Sequence, residues 1–151
     1  MRTRQSAPAR VKKPDRYLTD FLNVDLELSS KANLEPLVTA MGAKVMVLHL
    51  ERHKRTYRAN LEVAGYEENA NRTIRAFCAI VRALPKAAVE LWNSAKIRDF
   101  NVGVQAGTQP PSYEIALEAE TVRAASEVNA RIVLTVYGTD LLRERARRAN
   151  R

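Results

Sequence analysis

The sequence predicts an α+β domain: a two-layer sandwich with helices on one face of a mostly antiparallel sheet of about six strands, ferredoxin-like in character. Three observations carry this prediction. Several short segments alternate apolar and polar residues with a period of two, as half-buried strands do. Between them lie stretches whose apolar residues recur at helical spacing. Glycine, proline and asparagine fall at the junctions, where turns and helix ends need them.

Order is expected to begin near Tyr17. Val24, Leu26 and Leu28 alternate with Asn23, Asp25 and Glu27, which defines a first strand. A short helix follows, capped by Asn33, with Pro36 in its first turn, Leu34, Leu37, Val38 and Met41 as its stripe, and Gly42 to end it. Residues 44–50 read as a second, more apolar strand, and 51–55 as a hairpin loop. Tyr57, Ala59, Leu61 and Val63 then alternate with Arg58, Asn60 and Glu62 in a third strand.

A long helix starts near Asn69, with Ile74, Phe77, Cys78, Val81 and Leu84 on its apolar side. Pro85 interrupts it and can open a further helical segment that places Ala88, Leu91, Trp92 and Ala95 on one face. Phe100, Val102, Val104 and Ala106 define a fourth strand, with Asn101, Gly103 and Gln105 facing out. Tyr113, Ile115 and Leu117 predict a fifth strand, residues 120–128 a helix and 131–137 a sixth strand. Thr139 or Asp140 can cap a last Arg-rich helix. The order is β-α-β-β-α-β-β-α-β. Residues 41–48 resemble 128–135, and two explanations fit equally: an internal duplication of a strand–helix–strand unit, or the residue preferences shared by helix-to-strand junctions.

Charge divides the chain into three parts. Of the formal +8, residues 1–16 carry +5 and residues 143–151 carry +4, which leaves residues 17–142 at −1. The expected organisation is a basic, disordered arm over 1–16, one α+β domain over 17–138, and an Arg-rich helix or tail over 139–151. The composition, 46% hydrophobic and 28% charged, is that of a globular protein. No apolar run approaches the roughly 18 residues of a membrane span. With Cys78 as the only cysteine and no signal-like apolar segment, the expected location is the cytoplasm.

The sequence contains no phosphate-binding glycine loop, no zinc motif and no nucleophile elbow. No catalytic residue, metal ligand or cofactor is assigned. Cys78 belongs to the buried stripe of the long helix, and Trp92 reads as a core anchor. His49 and His53 lie on a strand-to-hairpin segment with no carboxylate cluster to complete a metal site.

One constellation is left. The outward strand positions bring Asp25, Glu27, Arg58, Asn60, Asn101 and Gln105 to a single sheet face, together with Glu62, Glu114, Gly103 and Ala116. Such a face can hold a small polar ligand or pair with another subunit. It can equally be the solvated face of the sandwich. It has no exposed aromatic repeat, which argues against RNA stacking on the sheet.

Four segments of this sequence resemble a group of small bacterial proteins known only as a domain of unknown function: Asp25-Leu26-Glu27-Leu28; Leu84-Pro85 through Trp92 and Lys96; Phe100 through Gly107; and Arg131 through Tyr137. The resemblance spans about residues 20–138, implies a compact bacterial α+β domain and brings no catalytic residues. The expected function is a non-enzymatic binding or interaction module for a protein or small polar ligand, with a homodimer as a candidate assembly. The alternative is a nucleic-acid-associated accessory protein acting through its basic tails.

Overall fold

The computed structural model describes residues 18–65 and 69–138. A five-stranded sheet forms one layer and four helices the other. The strands are β1 (Asp20–Ser30), β2 (Val45–His53), β3 (Thr56–Val63), β4 (Ile97–Gln105) and β5 (Arg131–Tyr137). The helices are α1 (Glu35–Met41), α2 (Ala70–Arg82), α3 (Lys86–Ser94) and α4 (Ala119–Glu127). Across the sheet the order is β2-β3-β1-β4-β5. All neighbours are antiparallel except β4 and β5, which run parallel.

Register explains the two faces. Leu26 of β1 sits opposite Leu61 on one side and Phe100 on the other, and Phe100 in turn pairs with Ile132. This apolar row meets Leu37, Ile74, Phe77 and Trp92 from the helices, and most of these side chains are fully buried. Phe77 stacks on Phe100 with ring centroids 5.6 Å apart, joining α2 to the middle of the sheet. A bulge between Phe21 and Asn23 lets Phe21 turn inward while Asn23 stays on the outer face.

Local chemistry sets the element ends. The Asn69 side chain accepts from the Arg72 N–H and caps α2. Pro85 separates α2 from α3, because a proline there cannot continue the helix but fits at the start of the next one. Gly42, at φ 61° and ψ −144°, takes a positive-φ conformation open to glycine and ends α1. Asn33 sits one residue earlier than a standard cap, and its Oδ1 accepts from the Glu35 N–H at 3.0 Å.

Several expectations change. Among the described residues the sheet has five strands, not six, and a ferredoxin-like order is not confirmed. Residues 112–118 do alternate, and Ile115 and Leu117 do pack on the core, but the segment joins no strand. Its backbone is held by a side chain instead: Asn71 of α2 donates to the Ala116 carbonyl and accepts from the Glu118 N–H, each at 2.8 Å. The edge of β4 that this segment would have paired with is taken by β5.

The hairpin loop shrinks to Lys54 and Arg55, with Lys54 at φ 55°, and Glu51 to His53 extend β2. The two strand–helix–strand units also differ. Each sets its strands parallel, but β3 lies between β1 and β2, whereas β4 and β5 are direct neighbours. Both basic ends of the chain lie outside the described residues, so the expectations for 1–16 and 139–151 have no structural counterpart here. Among the described residues no helix is long and apolar enough to cross a membrane.

Candidate functional site: an acid-and-amide sheet face

Among the described residues, no helix covers the other face of the sheet. Its centre is built from β1, β3 and β4, whose outward positions are polar because each strand alternates. One step beyond the Leu26–Leu61 pair, where the β1–β3 ladder ends, the Asp25 and Glu62 carboxyls come close enough to interact. Like charges at that range repel. The Asn23 side-chain amide offsets that repulsion by donating to both, at 2.8 Å to Asp25 Oδ1 and 2.7 Å to Glu62 Oε1.

The network continues on both sides. Asn60 Nδ2 donates to Asp25 Oδ2 at 3.4 Å, while Asn60 Oδ1 is buried without a hydrogen-bond partner. Across β4, Asn101 Nδ2 donates to Glu27 Oε1 at 2.8 Å, and Asn101 Oδ1 accepts from Thr135 Oγ1 of β5 at 2.7 Å. At the far end Arg131 grips Asp99 with two bonds, Nε to Oδ1 at 2.7 Å and Nη2 to Oδ2 at 2.6 Å. That pair is satisfied within the fold.

The carboxylates at the centre are held by amides and not by a cation. Among the described residues, no lysine or arginine forms an ion pair with Asp25, Glu27 or Glu62. Burial pushes the Asp25 carboxyl above its ordinary value of 3.8; the Asn60 hydrogen bond opposes this, and the charges of Glu62 and Glu27 add to it.

Two clefts open on this face. One, of about 420 Å³, is lined by Asn23, Asp25, Glu62 and Tyr137 and reaches round the end of the sheet to Val24, Val63 and Thr73 of α2. The second, of about 370 Å³, lies at the opposite end of the strands among Glu27, His49, Glu51, Arg58 and Asn60.

Four of the six residues expected at the site come together: Asp25, Glu27, Asn60 and Asn101. Arg58 stands at the rim of the second cleft, exposed, between Ser29 of β1 and Glu51 of β2 in the register. Gln105 lies apart. Its amide is turned to the Tyr137 and Gly138 carbonyls at the end of β5, at 3.2 and 3.1 Å. Glu114 and Ala116 belong to the 112–118 segment and not to this face.

Asn23 and Thr135 were missed as site residues, although both follow from alternation once β1 and β5 are placed. Gly103 has a role there too. A Cβ at Gly103 would stand 3.0 Å from Asn23 Oδ1, so the missing side chain makes room for the bridging amide.

The other candidates are structural. Cys78 is fully buried, and burial pushes its thiol up to about 11, which leaves it inert at neutral pH. The Trp92 ring is buried, with Nε1 donating to the Val128 carbonyl at 2.8 Å. His49 and His53 do share the open face, opposite Asn60 and Thr56, but four residues of strand hold them about 13 Å apart. No cluster of metal-ligating side chains occurs among the described residues.

Over the described residues, fold and face together define the class as an α+β domain with an open sheet face of carboxylates and amides. No family model matches the chain, and neither a curated protein nor a solved structure does.

Proposed function

We propose that this protein is a non-enzymatic binding module whose open sheet face takes a small polar ligand bearing an ammonium or guanidinium group. The observation that carries the reading is the convergence of Asp25, Glu27 and Glu62 with no cation paired to them among the described residues. A donor-rich cation seated between Asp25 and Glu62 replaces a like-charge contact with two charge-assisted hydrogen bonds. The amides of Asn23, Asn60 and Asn101 orient the carboxylates, and the buried Asn60 Oδ1 is an acceptor without a partner. The face holds no nucleophile with an activating base, and the reading therefore stops at binding.

Isothermal titration with L-arginine and with spermidine tests it. The expected result is one site, weakened at least tenfold in Glu62→Gln and unaffected in Glu114→Gln. Equal affinity in both variants, or no heat at millimolar ligand, overturns the reading.

Self-association has its own support. Met46, Val47 and Leu48 of the edge strand β2 are 51%, 47% and 41% exposed, an apolar edge that a second copy could cover. Sedimentation of the wild type against Leu48→Lys decides it: a dimer lost in the variant supports the reading, and a monomer in both removes it. A role for the basic tails in holding phosphates stays confined to those tails, since the acidic sheet face repels a phosphate backbone.

A further inference from the structure

On the helix side of the sheet, toward the C-terminal ends of β4 and β5, lies an apolar groove of about 430 Å³. Its floor is Val102 and Val104 of β4 with their register partners Leu134 and Val136 of β5. Leu134 and Val136 are 61% and 59% exposed, although a strand parallel to its neighbour is ordinarily buried on both sides. The far wall comes from the 112–118 segment, and it is pinned. Asn71 of α2 holds its backbone at Ala116 and Glu118, while Ile115 and Leu117 pack on the core. A groove between a sheet and a pinned segment exists before any ligand arrives, and its volume falls in the range of about 300–1,000 Å³ usual for small-molecule sites.

The lining sets the chemistry of such a ligand. Among the described residues, no charged side chain lines the groove. A carboxylate or ammonium brought here would lose its water without gaining a counter-charge, so the lining favours an uncharged molecule. The polar groups it does offer are two hydroxyls, and both are already used as acceptors. Tyr113 Oη accepts from the Phe21 N–H at 2.8 Å, and Thr19 Oγ1 accepts from the Gly107 N–H at 3.0 Å. Each hydroxyl keeps its own proton to donate. Among the described residues neither proton has an acceptor.

We infer that this groove binds a small, uncharged, apolar molecule that carries a hydrogen-bond acceptor at one end. Its hydrocarbon body lies on Leu134 and Val136, and its oxygen takes a proton from Tyr113 or Thr19. An alkyl ketone, ester or lactone has this chemistry. The inference stands apart from the reading of the polar face, which is on the opposite side of the sheet.

An NMR titration of the methyl-labelled full-length chain with methyl heptyl ketone tests it. Saturable shifts are expected at the Val104, Leu134 and Val136 methyls. Nonanoate at pH 7 should bind about tenfold more weakly, because its charge would be buried without a partner. Val136→Trp, a change at an exposed position, should fill the groove and abolish binding. Tyr113→Phe should weaken the ketone several-fold. If that change disturbs the segment, the carbonyl stretch of the ketone bound to the wild type gives a second reading, expected at lower frequency than in hexane. No shifts at these methyls with millimolar ketone, as when another part of the chain already fills the groove, overturns the proposal. So does nonanoate binding as tightly as the ketone, or a bound carbonyl stretch equal to that in hexane.

Discussion

Asn23 and Glu62, on neighbouring strands, are joined at 2.7 Å through an amide nitrogen that also donates to Asp25. One side chain thus holds together two carboxylates that would otherwise repel. Replacing it with Ala removes the donor and leaves both acids facing each other. Asn23→Ala is expected to lower unfolding stability by about 1–3 kcal/mol, read from urea transitions at pH 7.

Asp25 gives the face a pH dependence with a defined sign. Its folded pKa is raised above 3.8, chiefly by burial, so the fold favours the neutral form. That contribution to stability is fully present below the unfolded pKa and is lost as pH rises through the folded value. Asp25→Asn should therefore be more stable than the wild type at pH 7, with the gain shrinking to nothing near pH 3. Urea midpoints across that range check it. A variant that is weaker at pH 7 than at pH 3, relative to the wild type, contradicts it.

Gly103 tests the packing of the same network. An added Cβ meets Asn23 Oδ1 at 3.0 Å and Tyr137 at 3.5 Å, and Asn23 is pinned by its two acceptors. Gly103→Ala should cost about 1–2 kcal/mol and displace the Asn23 amide resonances.

Asn71 anchors the segment that the alternation of Tyr113, Ile115 and Leu117 had suggested as a strand. Asn71→Ala should cost about 2 kcal/mol, the sum expected for two hydrogen bonds to a buried amide. It should also remove hydrogen-exchange protection from the Glu118 N–H while leaving β4 and β5 protected. Unchanged exchange at Glu118 would show that the segment does not depend on Asn71.

The inward and outward sides of β1, β3 and β4 were legible in the sequence because alternation at Val24–Leu28, Tyr57–Val63 and Phe100–Gln105 is local. The acid-and-amide face followed from the same signal. Strand neighbours were not legible, since whether β5 or residues 112–118 pairs with β4 is decided by a side chain 45 positions away, Asn71 on Ala116. The bulge at Phe21–Asn23 also breaks the period and hid the start of β1. Gln105 obeys the alternation yet leaves the site, because the carbonyls at the end of β5 compete for its amide.

Whether the Asp25–Glu62 pair receives a cation is read from an NMR titration of the Asn side-chain amides with L-arginine at pH 7. Saturable shifts are expected at Asn23, Asn60 and Asn101, abolished by Glu62→Gln and weakened as Asp25 protonates on acidification. Shifts confined to residues outside this face, or none at saturating arginine, would contradict cation binding there.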